Sequence, residues 1–463
     1  MTQSDLYNLT SAELVHGFSN RYFSPVDVMN SVLERTRQVN PKLNAFFFLD
    51  EEGAFAAAKA SEGRWLKGVP LSFLDGVPVS IKDSFATQGM PMWRGASAYK
   101  DRPPSSVDCP PVARLREAGA LIFAKATMPD MGMFGAGVST AHGITRNPWN
   151  LAYNPGGSSS GGAAAVAGRL GPLTVGSDIG GSVRLPASLC GLVSLKPTQG
   201  RIPHLPPSPI RAAGPIARTV EDAARMLTVL AQQDARDYGS LPPEDLQYHC
   251  RLKRDVKGLR IGVMLDMGFG LSPEDEVVNA IVAAADVFRS AGAVVETMPR
   301  LMATDPIPLL VDIFGVRSRI ELEHLPVEKR ALVHPKVREL CAHADKLSAL
   351  EYGEASDRLE AIKAQVVATT GAYDYVISPN LPVVNFPAED VAPDPDVPLS
   401  VATYTCLFNQ TGQPAATVCC GFDKRGLPIG LQIIGNRFDD LGVLQVAAFY
   451  EHARGFDVEW PDV

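Results

Sequence analysis

The hydrophobic positions of the chain follow helical spacing in several segments. Residues 11–39 predict two amphipathic helices, and the second begins near Ser24 and Pro25, where a proline suits the first helical turn. Further helices are predicted at 110–118, at 163–167, from Thr219 onward, at 273–291 and at 441–453. Residues 300–372 are richer in charge and almost wholly helical in pattern, so we expect a helical excursion beside the sheet.

Short apolar runs rich in β-branched residues lie between these helices and predict buried strands. They occupy residues 76–81, 121–124, 173–176, 259–264, 293–296 and 428–435. Strands that alternate with helices favour a layered α/β sheet. Prolines cluster at 379–398 and indicate a long irregular loop, which in a compact domain often has a functional role.

Two glycine runs that contain serine interrupt this pattern. The run at 156–162 includes Ser158, and the run at 178–184 includes Ser182 directly after two glycines. Glycine reaches backbone conformations closed to other residues, so such a run can direct several N–H groups toward one point. That arrangement suits an oxyanion. A predicted buried strand just upstream would deliver Lys82 at its end.

Composition places the chain among globular proteins and narrows the function classes. The 463 residues are 46% hydrophobic and 20% charged. Length alone would allow about three domains, but we expect a single domain over residues 1–463. The net charge of −8, without a basic stripe, argues against nucleic-acid binding. No apolar run reaches the roughly 18 residues that cross a bilayer, and no signal-peptide pattern opens the chain, so we expect a cytoplasmic protein without membrane association.

Cysteine and histidine patterns do not indicate a metal centre. Seven cysteines without CxxC spacing make neither a disulfide framework nor a zinc site. The eight histidines form no HExxH motif. We therefore expect no metal and no cofactor.

A serine nucleophile needs a base, and the residues leave several interpretations open. The first glycine run matches the GxSxG pattern, which would make Ser159 the nucleophile of an α/β-hydrolase, but neither run contains a histidine and no partner suggests itself. Burial could instead lower the pKa of Lys82 enough to make it a base. The structural alternatives are a surface Lys82 paired with Asp83, a helix-cap role for Ser158 and a turn role for Ser182.

Several motifs in order along the chain closely resemble those of the amidase signature family. The matching segments are residues 76–83, 155–167, 176–186, 190–198, 214–223 and 421–435. The resemblance covers most of the chain, with the catalytic signature core at about 70–225. It implies an α/β fold in which a central mixed, twisted β-sheet is covered by helices on both faces. It also implies an amidase that hydrolyses an amide C–N bond through an acyl-enzyme.

The resemblance further implies roles for individual residues. Ser182 would be the nucleophile, Ser158 a bridging serine that follows a cis peptide bond, and Lys82 the base. Four consecutive backbone N–H groups would form the oxyanion hole, those of Ile179, Gly180, Gly181 and Ser182.

Neighbouring residues would support this triad. Ser177 stands where threonine is usual in the family and keeps a hydroxyl for a supporting hydrogen bond. Asp178 and Arg184 flank Ser182, and we expect an ion pair that braces the turn rather than proton transfer.

The kind of substrate is inferred from residues 128–135. This apolar segment matches the family segment that borders the acyl pocket, so Met131, Met133 and Phe134 are expected to line that pocket, with ordinary core packing as the alternative. We expect a small, apolar or aromatic, uncharged amide that reacts with water.

Two other substrates fit the same triad. One is a carbamate, whose carbonyl is a similar electrophile. The other is glutamine, in a glutaminase-like component of a tRNA-dependent amidotransferase that passes ammonia to a partner chain, although the apolar pocket segment disfavours it. A non-catalytic binding protein is disfavoured because all three triad positions are intact. A homodimer is the default expectation for the oligomeric state.

Overall fold

The computed structural model of the protein describes residues 3–463. Its helices are α1 (Ser11–Ser19), α2 (Pro25–Leu43), α3 (Glu51–Leu66), α4 (Pro110–Glu117), α5 (Ser160–Ala167), α6 (Arg184–Leu189), α7 (Val220–Leu230), α8 (Asp275–Ser290), α9 (Ile307–Glu323), α10 (Val327–Arg330), α11 (Pro335–Ala344), α12 (Ala349–Thr370), α13 (Cys406–Gln410) and α14 (Asp440–Ala453). Its strands are β1 (Phe46–Leu49), β2 (Pro78–Lys82), β3 (Leu121–Ala126), β4 (Val138–Ser139), β5 (Gly143–Ile144), β6 (Leu173–Asp178), β7 (Val193–Lys196), β8 (Ala212–Ala217), β9 (Arg260–Val263), β10 (Val294–Thr297), β11 (Tyr375–Pro379), β12 (Ala415–Phe422) and β13 (Pro428–Gly435). Short 3₁₀ helices lie at Gln3–Asn8, Ser97–Tyr99, Asp130–Gly132, Tyr248–Arg251 and Pro398–Ala402.

Eleven of the described strands form one mixed sheet. Their order is β1-β3-β2-β6-β8-β7-β12-β13-β11-β9-β10, and β4 pairs with β5 separately. β2 lies parallel to both β3 and β6, whereas β8 runs antiparallel to β6 and β7. Helices including α6, α8 and α14 pack on the sheet. The α/β fold predicted from the sequence is confirmed. None of the described helices is both long and apolar enough to cross a membrane.

Local signals explain why several helices begin where they do. The Ser24 hydroxyl accepts a hydrogen bond from the Asp27 N–H at the start of α2, and Pro25 occupies the first turn. Thr219 caps α7 in the same way, by accepting from the Asp222 N–H. These caps satisfy N–H groups that have no partner within the helix.

The predicted elements correspond closely to those of the structure. Residues 11–39 fold as α1 and most of α2, residues 300–372 contain α9 to α12, and β9, α8 and β10 form the predicted strand-helix-strand unit. The loop predicted at 379–398 follows β11 and stays irregular as far as the 3₁₀ helix at Pro398–Ala402.

Several strands were not predicted, among them β1, β7, β8, β11 and β12. β8 illustrates the reason, because its sequence Ala-Ala-Gly-Pro-Ile-Ala has weak strand propensity. Pairing with β6 on one side and β7 on the other imposes the extended conformation.

Candidate active site

Parallel strands β2 and β6 bring Lys82 and Ser177 to the same edge of the sheet. The carboxyl ends of neighbouring parallel strands meet at one edge, and both residues lie at such an end. The Lys82 Nζ is 3.1 Å from the Ser177 carbonyl oxygen and 3.1 Å from the Ser177 Oγ. Ser84 adds its hydroxyl, with its Oγ 3.1 Å from the Ser177 Oγ. A lysine from one strand is thus held by a serine from the next.

Ser158 approaches the same amine from the turn before α5. Its Oγ lies 2.9 Å from the Lys82 Nζ, and the Gly157–Ser158 peptide bond is cis. A Cβ at position 157 would lie 2.4 Å from the carbonyl oxygen of Ala136, so only glycine fits there. Ser158 is therefore fixed by close backbone packing on one side and by the lysine on the other.

Burial changes the acid–base properties of Lys82. Its side chain is 1% exposed, and burial lowers its pKa from 10.5 to about 7. Asp178 opposes this shift, whereas Arg211 and Arg94 add to it. A large fraction of the amine is therefore neutral near neutral pH. The surface ion pair with Asp83 does not form, because the Asp83 carboxylate accepts from the backbone N–H groups of Trp93 and Gly95.

Asp178 shapes the turn that carries Ser182. Its carboxylate accepts from the Gly181 N–H at 2.7 Å and from the Val183 N–H at 3.0 Å. Arg184 donates to the same carboxylate from Nε at 3.1 Å and from a terminal nitrogen at 3.0 Å. Although burial opposes ionisation, the Arg184 guanidinium and these hydrogen bonds hold the pKa of Asp178 well below its usual range. The structure thus contains the ion pair that the sequence predicts beside Ser182.

Arg184 also ties this turn to the C-terminal part of the chain. Its guanidinium donates to the carbonyl of Thr405, to the Gln432 side chain and to the Asn409 side chain. The Thr405 hydroxyl in turn donates to the Gly180 carbonyl at 2.6 Å. The turn is therefore braced by several segments distant in sequence.

One of the four predicted oxyanion-hole donors already has a hydrogen-bond partner in the structure. The Gly181 N–H is engaged by Asp178, so it is not free to meet a substrate oxygen. Within residues 3–463, the N–H groups of Ile179, Gly180 and Ser182 form no hydrogen bond. All three residues line a cavity. The available donors are thus three of the four named from the sequence.

Ser182 opens into a cavity with two parts. Met131, Met133 and Phe134 line the first part together with Ser182. Ser158 and Ser177 line the second part, again with Ser182. The structure therefore brings Ser158, Ser182 and the predicted pocket residues to one cavity, and the Lys82 amine contacts Ser158 from within the protein.

Sequence reasoning missed the charged and imidazole groups of this cavity. Arg94, Arg211 and Glu321 line both parts, Arg317 lines the first, and Arg102 and His204 line the second. No local sequence pattern indicates that these side chains meet there, because they come from separate segments of the chain.

Two further possibilities weighed from the sequence are Ser159 as the nucleophile and a metal centre. The Ser159 hydroxyl is buried without a hydrogen-bond partner among the described residues, and Ser159 does not line the cavity. This disfavours Ser159 as a nucleophile. Within the described chain, no group of three or more His, Cys, Asp or Glu side chains is arranged to hold a metal ion.

A protein-family model described as Amidase matches residues 27–444. The chain belongs to the amidase signature family. Solved structures with the same fold include a bacterial aryl acylamidase of that family, with 29% identity, a TM-score of 0.88 and 96% coverage of both chains. The native peptide amidase from Stenotrophomonas maltophilia is also similar, with 27% identity, a TM-score of 0.83 and 98% coverage of both chains.

Curated relatives extend the comparison to another class of enzyme. One of the component chains of the Glutamyl-tRNA(Gln) amidotransferase of Myxococcus xanthus (strain DK1622) is 34% identical, with 97% of this chain and 98% of the relative covered. Family and structural neighbours together define the protein as an amidase, a hydrolase that acts on amide C–N bonds.

Proposed function

We propose that the protein hydrolyses a small amide with an apolar or aromatic acyl group through an acyl-enzyme on Ser182. The observation that carries the proposal is the buried Lys82 amine 2.9 Å from the Ser158 Oγ, beside a cavity that also contains Ser182. A lysine with a pKa of about 7 can act as a base at neutral pH.

In the acylation half-reaction, neutral Lys82 takes a proton from Ser158 while Ser158 takes one from Ser182. The Ser182 oxygen then attacks the amide carbonyl carbon and gives a tetrahedral oxyanion. The free N–H groups of Ile179, Gly180 and Ser182 stabilise this charge, and a single such donor is typically worth about 3 kcal/mol. The proton returns from Lys82 through Ser158 to the nitrogen, and ammonia or an amine leaves.

In the deacylation half-reaction, the same groups act on water. Lys82 and Ser158 accept a proton from a water molecule as it attacks the acyl-enzyme. The tetrahedral intermediate then collapses, the proton is returned to the Ser182 oxygen, and the carboxylic acid is released. Ser177 supports this relay by holding the Lys82 amine through its carbonyl and hydroxyl oxygens.

Two other reactions could use the same catalytic triad. A carbamate presents a similar carbonyl, so urethane hydrolysis is a second candidate. Glutamine hydrolysis with transfer of ammonia is a third, favoured by the similarity to amidotransferase chains over nearly the whole length. Turnover of anilides and carbamates by the purified chain alone would favour the first two, and glutamine turnover that needs a second chain would favour the third.

Substitution of the proposed nucleophile tests the assignment. We expect Ser182→Ala to reduce kcat by at least about a thousandfold, because removal of a nucleophile leaves only binding and oxyanion stabilisation. Ser159→Ala is the matched control, since it removes a nearby buried hydroxyl that has no hydrogen-bond partner among the described residues. Mass spectrometry of the enzyme with a slow substrate should show an acyl adduct on Ser182. Full activity of Ser182→Ala would refute the proposal.

A further inference from the structure

The first part of the cavity beside Ser182 carries an excess of positive charge. Arg94, Arg211 and Arg317 line it, and Glu321 is the one acidic side chain among the described residues that do so. Glu321 is already bound by Arg94 through two contacts of 3.0 and 3.1 Å. Among the described residues, no ion pair is formed by the other two guanidinium groups, those of Arg211 and Arg317, in a protein whose net charge is −8.

Arg211 is the more informative of the two because it is buried. Its side chain is 8% exposed, and its guanidinium forms no hydrogen bond or ion pair with any residue of 3–463. Arg211 directly precedes β8, and the register of β8 against β6 pairs Ala212 with Asp178. This register places Arg211 next to Ile179, and both residues line the cavity.

A buried cation without a partner is costly. Arg184, which is fully buried, has Asp178, Gln432 and Asn409 as partners. At Arg211, burial lowers the pKa to about 9; Arg317 and Arg94 add to this shift, whereas Glu321 opposes it without cancelling it. An anion in the cavity would remove this penalty. The planar guanidinium donates two parallel hydrogen bonds to a carboxylate, so a carboxylate is the anion it fits best.

We propose that Arg211, assisted by Arg317, binds a carboxylate at the far end of the acyl group, so that the substrates are half-amides of dicarboxylic acids. The inference rests on the proposed function for the position of the scissile amide. Arg317 lines the part of the cavity that holds Met131, Met133 and Phe134, not the part with Ser158. These apolar side chains would contact the methylene chain between amide and carboxylate, which favours an organic acid over phosphate. The apolar acyl group of the proposed function is thereby narrowed to an apolar chain that ends in a carboxylate, and the uncharged substrate expected from the sequence is replaced by an anionic one.

A pair of matched substrates tests the inference by kinetics. The para-nitroanilide half-amide of glutaric acid is compared with an analogue in which an isopropyl group replaces the carboxylate. We expect kcat/KM of the wild-type enzyme to be at least about tenfold higher for the acid than for the analogue. Arg211→Gln should reduce this ratio of the two kcat/KM values by about tenfold or more, because a charged hydrogen-bonded pair is lost. Arg211→Lys should keep part of the preference. The ratio corrects for any general loss of activity.

A control variant and three contrary results define the limits of this test. Arg300→Gln removes an exposed arginine that pairs with exposed Asp266 and should leave the ratio unchanged. Equal rates for both substrates in the wild-type enzyme, or an unchanged ratio in Arg211→Gln, would overturn the inference. A preference found only when the carboxylate is on the leaving amine would overturn the assignment to the acyl side.

Equilibrium binding distinguishes failure of the inference from failure of the proposed function. In Ser182→Ala, calorimetry should show glutarate binding at least about tenfold more tightly than glutaramide, with the difference lost when Arg211→Gln is added. Retention of that difference without Arg211, or equally tight binding of inorganic phosphate, would contradict carboxylate recognition. If glutarate binds as expected but neither anilide is hydrolysed, the proposed function fails and the carboxylate site stands.

Discussion

At the scale of single residues, the proposed base is defined by the three oxygens around its amine. The Ser177 carbonyl can only accept a hydrogen bond, and the Ser177 hydroxyl can accept a second. A neutral amine has two N–H groups and one lone pair, so both donors are used on Ser177. The lone pair then faces the Ser158 Oγ at 2.9 Å, which is the arrangement needed for proton transfer from Ser158.

This arrangement predicts an acid limb in the activity profile. The reaction requires neutral Lys82, whose pKa is about 7, so kcat/KM should rise with pH up to about 7 and then level off. The charged groups that act on this amine are Asp178, Arg211, Arg94 and Asp83. The measurement is kcat/KM against pH for an uncharged anilide, so that the substrate does not titrate.

The position of the acid limb in Arg211→Gln gives a second test of Lys82 as the base. Arg211 contributes to the low pKa of Lys82, so its removal should raise that pKa and move the acid limb to higher pH. Arg300→Gln, which removes an exposed positive charge elsewhere, should leave the limb in place. A limb that moves to lower pH in Arg211→Gln would contradict the role of Lys82 as the base.

At the scale of elements, the site depends on turns at the ends of neighbouring strands. The sequence predicts β2, β6 and the helix after Ser158, because apolar β-branched runs and alanine-rich stretches carry their own local signal. It cannot predict β8, whose conformation depends on its two neighbours. It also cannot predict that Asp178 takes the Gly181 N–H, because that depends on the exact backbone path.

Gly181 offers a test of how much this turn matters. Its φ is +126°, a conformation that other residues rarely adopt, and an added Cβ would lie 2.3 Å from the Thr405 Oγ1. We expect Gly181→Ala to destabilise the protein by about 1–3 kcal/mol and to lower kcat, because the adjacent Ser182 and its N–H would shift. Thermal unfolding and anilide kinetics measure the two effects.

Gly63 in α3 provides the matched control. No atom lies within 4 Å of a Cβ built there. Gly63→Ala should therefore stabilise the protein by about 0.5–1 kcal/mol through helix propensity, with unchanged activity. If Gly181→Ala were as stable and as active as Gly63→Ala, the turn would not need the conformation seen in the structure.

At the scale of the whole molecule, family membership and fold are accessible from the sequence, but the charge of the cavity is not. The triad motifs are local, so each can be recognised by itself. The arginines of the cavity come from separate segments, Arg211 before β8 and Arg317 on α9, and only the tertiary fold brings them together. Specificity is thus the property that sequence patterns reveal least.

The interior of the molecule also contains three lysines whose pKa values are lowered by burial. Burial lowers the pKa of Lys82 and Lys196 to about 7 and that of Lys125 to about 8, from 10.5. Between these values and 10.5, the unfolded chain binds more protons than the folded chain. The free energy of unfolding should therefore rise with pH above about 7, by about 1.4 kcal/mol per pH unit for each lysine that is neutral when folded.

Other buried groups limit the window in which this effect is measurable. Burial raises the pKa of Glu451 to about 7, which makes stability fall with rising pH between 4.5 and about 7. Burial also raises the pKa of the Cys109 and Cys419 thiols from 9.0 to about 11, which opposes the lysines above about pH 9. The lysine effect should thus dominate between about pH 7 and about pH 8.5.

Lys196→Met tests this prediction. Lys196 is 1% exposed and its amine donates to the Pro197 carbonyl, so methionine replaces a buried lysine with an apolar side chain of similar length. We expect the rise in unfolding free energy over this window, measured by urea unfolding at several pH values, to decrease by about 1 kcal/mol per pH unit. Lys67→Met, at an exposed position, should leave the slope unchanged. An identical slope in Lys196→Met and the wild-type protein would mean that Lys196 stays charged in the folded state, with its burial balanced by Asp178 and Asp440, the carboxylates that raise its pKa.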